Sequence, residues 1–156
     1  MKRIIVFSDT HGDIRRCIET INNIKDIDLI IHLGDLVRDA VALEKMYPRI
    51  KFEYVAGNND FFASADSKLI TEIDGIRIFC CHGHQMSDVS LFNYAKENNC
   101  HYVLTGHTHI SNITKEDGVI FMNPGSIARP RDGYFSYGII EIENNTAKET
   151  IIRRDY

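Results

Sequence analysis

The stretch Ile4-Ile5-Val6-Phe7-Ser8-Asp9-Thr10-His11-Gly12-Asp13 decides how the chain is read. Four apolar residues, three β-branched and one aromatic, run without alternation, as in a short strand covered on both faces. The run stops at a carboxylate and an imidazole two positions apart, and Gly12 then lets the backbone turn. In open α/β sheets, ligands gather beyond the carboxyl ends of parallel strands. Asp9 and His11 stand at such an end, spaced to reach one point, and form a candidate half-site for a divalent metal. Alone the spacing is weak, because Asp13 also reads as the N-cap of the next helix and loop polars fall at this spacing by accident.

The following segments repeat the pattern. Ile14, Cys17, Ile18, Ile21 and Ile24 share one face at helical spacing. Asp28 to Leu33 is a second apolar strand, ending in Gly34-Asp35. A second helix, about Val37 to Tyr47, is stopped by Pro48. Lys51 to Val55 is a third strand and runs into Gly57-Asn58-Asn59-Asp60. Strand, helix, strand, helix, strand at this spacing predicts parallel pairing with right-handed crossovers. Three strands then deliver Asp9 and His11, Asp35, and Asn58 to one edge of a sheet.

The second half is richer in strands. Leu69 to Ile73 and Ile76 to Cys81 flank Asp74-Gly75, a two-residue hairpin signal. The second arm ends in His82-Gly83-His84. A helix from about Ser87 to Asn98 leads to the strand Tyr102 to Thr105 and then Gly106-His107-Thr108-His109. Asp117-Gly118 and Asn144-Asn145 mark further hairpins, joining Ser111–Lys115 to Val119–Met122 and Tyr134–Ile142 to Ala147–Arg153. A βαβ start and a strand-rich end predict two sheets packed face to face with helices outside.

With 156 residues, 44% hydrophobic and 26% charged, the chain reads as one globular domain over 1–156 with a core that needs no staples. Its net charge of -4 argues against a stable nucleic-acid complex or an anionic membrane surface as partner. It does not exclude a phosphate-bearing substrate, because a bound metal adds local positive charge. Lys2-Arg3 is followed by only four apolar residues, too few for a signal or a span. Cys17, Cys80, Cys81 and Cys100 lack zinc-finger spacing and read as reduced, buried thiols of a cytoplasmic protein. Self-association is left open.

Gathered from the strand ends, the polar residues are Asp9, His11, Asp35, Asn58, His82, His107 and His109. Carboxylate, imidazole and amide ligands without thiolate suit Mn, Ni, Fe, Zn or Mg in a reactive rather than a structural site. Seven ligands are too many for one ion and suit two that share a carboxylate.

The order D-x-H, G-D, G-N-x-D, H-G-H and G-H-T-H resembles the calcineurin-like metallophosphoesterase superfamily, and especially its small single-domain prokaryotic phosphodiesterases. Asn123-Pro124-Gly125-Ser126 with Pro130-Arg131 is similar to that branch's downstream segment. The resemblance implies an α/β fold, a four-layer αββα sandwich of two mixed β-sheets with helices outside. It implies a phosphodiesterase acting on a small phosphate ester, in which a hydroxide bridging two divalent metals, Mn foremost, attacks phosphorus in line. A phosphomonoesterase, or a scaffold of the same fold such as the retromer subunit, is the alternative. By position, the resemblance puts Asp9, His11 and His109 on the first metal and Asn58, His82 and His107 on the second. Asp35 bridges, and Asp60 orients its neighbours.

Asn59 stands where many members carry a histidine credited with protonating the leaving group. It can donate a hydrogen bond but not a proton. His84 is a candidate replacement acid, set against a structural role. Arg129 and Arg131 are candidates for a substrate phosphate, set against solvated loop arginines. His32 reads as a packed core histidine and His101 as a helix-end or surface residue.

Overall fold

The computed structural model describes residues 1–61 and 64–156. Element by element, β1 (Lys2–Phe7), α1 (Arg15–Asn23), β2 (Leu29–His32), α2 (Val37–Met46) and β3 (Lys51–Tyr54) form the βαβαβ start. The hairpin β4 (Lys68–Ile73) and β5 (Ile76–Cys81) follows, then α3 (Asp88–Glu97), β6 (Tyr102–Leu104), β7 (Ser111–Glu116) and β8 (Val119–Pro124). The long pair β9 (Tyr134–Glu143) and β10 (Thr146–Asp155) closes the chain.

One sheet has the order β10-β9-β1-β2-β3 and the other β4-β5-β6-β8-β7. In the first, β1, β2 and β3 run parallel, with Ile4 opposite Leu29 and Ile30 opposite Phe52. The return strands β9 and β10 are antiparallel. In the second, β5, β6 and β8 are parallel, and β4 and β7 flank them antiparallel. Both sheets are mixed, as expected. Asn123 and Pro124 extend β8 beyond the sequence reading because Ser111 pairs opposite Pro124.

Side-chain alternation divides the core into three. Ile4, Val6, Leu29 and Ile31 face Ile78, Cys80, Tyr102 and Leu104 between the sheets. Ile5, Phe7 and Ile30 point the other way, against Cys17 and Ile21 of α1 and Leu43 of α2. On the far side, Phe79 and Val103 pack against Leu91 and Ala95 of α3. The layers are therefore helix, sheet, sheet, helix. Ile4 to Phe7 are fully buried, worth about 1.5–3 kcal/mol per side chain, and this anchors the loop that leaves β1.

Each two-residue hairpin predicted from Asp-Gly or Asn-Asn has both central residues at positive φ: Asp74 and Gly75, Asp117 and Gly118, Asn144 and Asn145. Ser87 caps α3 by accepting from the Ser90 N–H. Asp13 is a correction: α1 starts one residue later than read, with Ile14 at the cap position. The Asp13 carboxylate still accepts the Arg15 N–H, but its stronger attachment is to the Arg15 guanidinium. Cys17, Cys80, Cys81 and Cys100 are buried free thiols. Among the described residues, no helix is long and apolar enough to cross a membrane.

Candidate metal centre

All the predicted ligands lie where the two sheets present their strand ends to each other. Asp9 and His11 leave β1, Asp35 leaves β2, Asn58 follows β3, His82 follows β5, and His107 and His109 lie between β6 and β7. Five of them, Asp9, His11, Asp35, His107 and His109, have φ between 46° and 70°. The left-handed region costs a non-glycine residue about 1 kcal/mol or more, and such residues collect at functional sites. The other non-glycine residues of positive φ sit in the three hairpin turns or, as Asp26 and Asn99, just after helices.

The geometry converges on the Asp9 carboxylate. Its Oδ1 lies 3.3 Å from His109 Nε2 and 3.7 Å from the Nε2 atoms of both His11 and His82. Asp35 Oδ2 is 3.5 Å from His82 Nε2 and 3.8 Å from His11 Nε2. Two clusters able to hold an ion result, Asp9-His11-His109 and Asp9-Asp35-His82. Asp9 belongs to both, so it shares with Asp35 the position between the two groups that the motif reading gave to Asp35 alone.

Backbone carbonyls orient the rings. His82 Nδ1 donates to Leu33 O at 2.7 Å, and His109 Nδ1 donates to Arg129 O at 2.6 Å. Each ring then turns a bare Nε2 lone pair inward, the outer-ligand arrangement of metal-binding histidines. His11 Nε2 and His109 Nε2 are 3.3 Å apart. Asp9 Oδ1 and His82 Nε2 are buried and have no hydrogen-bond partner. Buried polar atoms are rarely left so, and a shared cation satisfies this set, since donors about 2.1 Å from one ion stand roughly 3–3.5 Å apart. The donor chemistry and the unpartnered atoms fit a divalent metal.

Burial would raise the Asp9 pKa, but the nearby imidazoles of His109, His11 and His82 and the hydrogen bond from Ser8 outweigh it and hold the carboxyl well below the usual range. The contact with Asp9 raises His109. Asp9 Oδ2 accepts from Ser8 Oγ at 2.6 Å and from the His107 N–H at 3.0 Å, which leaves Oδ1 free to face the cluster.

Asn58 Oδ1 and His107 Nδ1 are 3.0 Å apart at the mouth, and the His107 ring stands edge-on to His82 at 5.2 Å. Asp60 accepts the N–H groups of Asp35, Val37 and Gly57, so it holds the Asp35 loop by its backbone. Asn59 gives both its N–H and its side-chain amide to Asp35, at 3.0 and 2.7 Å. His84 lies 5.4 Å ring to ring from His82, and burial lowers its pKa. It lines a cavity of about 220 Å³ together with His82, Ser67, Lys68 and Cys81. The main cleft, about 290 Å³, is lined by His11, Asp35, Asn58, Asn59, His107, His109, Arg129 and Arg131. His101 is exposed, and its Nδ1 accepts the Arg77 N–H.

Four residues tie the ligand loops together: His32, read in the sequence only as core, Ser126, quoted there only for the resemblance, and Thr10 and Asp39, given no role. His32 Nδ1 accepts the Gly34 N–H, so its Nε2 carries the proton and donates to Thr10 Oγ1 at 3.0 Å. Thr10 donates in turn to Asp39 Oδ2 at 2.5 Å, and the same oxygen accepts the Gly12 N–H. Thr10, between Asp9 and His11, is thus bound to both β2 and α2. Opposite it, buried Ser126 donates to the Asp9 carbonyl and accepts the N–H groups of Ala128 and Arg129. Gly106 permits the closest approach: a Cβ there would collide with Ser8 Oγ and stand 2.8 Å from Asp9 Oδ2.

The model of the calcineurin-like phosphoesterase superfamily domain matches residues 1–145, which include every residue of this centre. The chain belongs to that superfamily. A phosphodiesterase of Methanocaldococcus jannaschii is 27% identical over 96% of this chain and 99% of its own length. A crystal structure of a conserved uncharacterized protein, a predicted phosphoesterase, from Streptococcus pneumoniae superposes with a TM-score of 0.81 at 30% identity. It covers 99% of this chain and 92% of that one. Vps29 of Chaetomium thermophilum, at 18% identity and a TM-score of 0.77 over 99% of this chain and 96% of its own, shares the fold. The chain is thus a metallophosphoesterase of a metal-dependent family, and the donor clusters around Asp9 are its candidate metal ligands.

Proposed function

We propose that the chain is a phosphodiesterase with two divalent ions, Mn foremost, held by Asp9, His11 and His109 on one side and Asn58, His82 and His107 on the other, with Asp35 between them. The observation that carries the reading is the convergence of buried, unpartnered Asp9 Oδ1 and His82 Nε2 on the Nε2 atoms of His11 and His109. When bound, such ions acidify water near neutral pH and take up charge on phosphoryl oxygens.

The protein's own residues do the rest. Leu33 and Arg129 carbonyls keep two imidazoles in the tautomer that binds a cation. Asn59 holds Asp35 by two hydrogen bonds and stands at the cleft wall. Arg129 and Arg131, on the same cleft, are placed to hold substrate phosphate oxygens and to set phosphorus for in-line attack. The likeness to the archaeal phosphodiesterase supports a diester over a monoester.

Metal analysis after Mn loading and an assay with bis(4-nitrophenyl) phosphate and 4-nitrophenyl phosphate test the reading together. Two ions per chain and faster diester turnover are expected, with Asp35→Asn folded but inactive. A single ion at saturation, or turnover retained in Asp35→Asn, refutes it.

A further inference from the structure

The guanidinium groups of Arg38, Arg49, Arg129 and Arg131 make no hydrogen bond or ion pair among the described residues, whereas those of Arg3, Arg15, Arg16, Arg77 and Arg154 pair with carboxylates and that of Arg153 binds Ser111. Three of the four stand around the metal centre. Arg129 and Arg131 line one wall of the cleft. Arg38 reaches Gly12, next to His11: its Nη2 comes within 3.9 Å of the point a Cβ on Gly12 would occupy. In a chain of net charge -4, unpaired guanidinium groups gathered at one place call for an anionic ligand.

Arg38 also belongs to a stripe. Arg38, Val41, Ala42 and Lys45 follow one another at i, i+3, i+4 and i+7 on α2, the spacing of a single helix face. The opposite face is buried through Ala40 and Leu43. The stripe lines a surface groove that shares Asn59 with the metal cleft and also takes in Phe61 and Asp60, whose carboxylate is held by the Asp35, Val37 and Gly57 N–H groups. Its middle is apolar and its ends are cationic, about 10 Å apart at 1.5 Å per residue. Lys45, like Arg38, has no acidic partner among the described residues.

We propose that this groove binds one arm of the substrate, and that the arm combines a flat apolar body with an anionic group of its own. The inference rests on the phosphodiesterase reading and extends it. A simple diester carries one negative charge, which the metal centre and Arg129 and Arg131 already meet. Arg38 and Lys45 are then left for a second anion on the far side of Asn59, with Val41 and Ala42 beneath the ring that carries it. A nucleotide arm bearing a further phosphate has this chemistry.

The test is calorimetric and uses the Mn-loaded protein with two probes, adenosine 5′-monophosphate and adenosine 3′,5′-bisphosphate. The bisphosphate is expected to bind at least about tenfold tighter, the strength of one charge-assisted contact pair. Arg38→Ala with Lys45→Ala should reduce that ratio to about two and leave monophosphate binding unchanged. Equal affinities in the wild type overturn the proposal, and so does a ratio that survives the double variant. A ratio that collapses only in Arg129→Ala with Arg131→Ala also overturns it, by placing the second anion on the opposite wall. Turnover of bis(4-nitrophenyl) phosphate is measured alongside. A chain that cleaves no diester yet shows the ratio and its collapse overturns the diesterase reading and supports the groove.

Discussion

Replacing Thr10 by valine removes one hydroxyl from the middle of the D-T-H loop and changes little else in shape. Thr10, His32 and Asp39 are at most 6% exposed, so water does not replace the lost partner. The Thr10 hydroxyl donates to the Asp39 carboxylate and accepts from His32 Nε2 and, at 3.4 Å, from the Leu36 N–H. A hydrogen bond to a charged group contributes about 1.5–3 kcal/mol, and a buried N–H left without an acceptor costs about 1–3 kcal/mol. Asp39 keeps the Gly12 N–H, which limits the damage. The expected loss is roughly 3–5 kcal/mol out of a total of about 5–15. For a chain of this size each kcal/mol moves Tm by about 2–4 °C, so Thr10→Val should unfold on the order of 10 °C lower. Thr10→Ser keeps the hydroxyl, loses one buried methyl worth about 1 kcal/mol, and should fall only a few degrees.

Thermal unfolding followed by circular dichroism in EDTA measures the structural part. Repeating it in Mn measures the part that concerns the ligands, because an ion that binds only the folded chain raises Tm. The Mn-dependent rise should shrink in Thr10→Val and be restored in Thr10→Ser. Equal melting of the two variants would refute the energetics. A full Mn-dependent rise in Thr10→Val would refute the claim that the hydroxyl positions Asp9 and His11.

Burial lowers His32 to about 4 from 6.5, so below pH 6.5 the unfolded chain binds a proton that the folded chain refuses. Stability is full above about pH 6.5 and falls by roughly 3 kcal/mol on the way to pH 4, and urea unfolding of His32→Gln in EDTA should show a flatter slope over that window. Gly106→Ala drives a methyl into Ser8 and Asp9; a loss of about 1–3 kcal/mol is expected together with weakened Mn binding, and normal Mn affinity would show that the loop shifts freely. General acid catalysis is worth roughly a hundred- to ten-thousand-fold, and Asn59 cannot supply it, so the rate should depend steeply on leaving-group pKa. Asn59→His should speed alkyl diesters more than aryl ones, His84→Ala should steepen the dependence if His84 is the acid, and a flat series in the wild type would place the slow step elsewhere.

The sequence exposed the fold most clearly where local chemistry admits few conformations. Asp74-Gly75, Asp117-Gly118 and Asn144-Asn145 are hairpins because few other residue pairs enter the left-handed region at both turn positions. The apolar runs of β1, β2 and β5 are legible because both faces of each sheet are covered. Features set by distance in space were hidden. Nothing in the order of residues says that Asp39, inside the second helix, bonds to Thr10, or that His32 is a partner of Thr10 rather than inert packing. Nor does it say that the amide of Asn59 is engaged with Asp35, that Asp9 faces three imidazoles, or that Arg38 turns toward Gly12.

The ligand motifs lie between these cases, for a physical reason. A chain leaving a buried strand must turn at once to present its next side chain to the neighbouring strand end, and here it turns through positive φ at Asp9, Asp35 and His107. The residues that tolerate this conformation best, after glycine, are Asn, Asp and, less often, His. These are also the residues that offer oxygen or nitrogen to a hard or borderline cation. Backbone geometry and coordination chemistry therefore select the same side chains at the same positions, so the short motifs beyond each strand carry more information than their length suggests. Thr10 and Asp39 satisfy only hydrogen-bonding demands that many other arrangements could meet. They support the centre without leaving a pattern that one sequence can reveal.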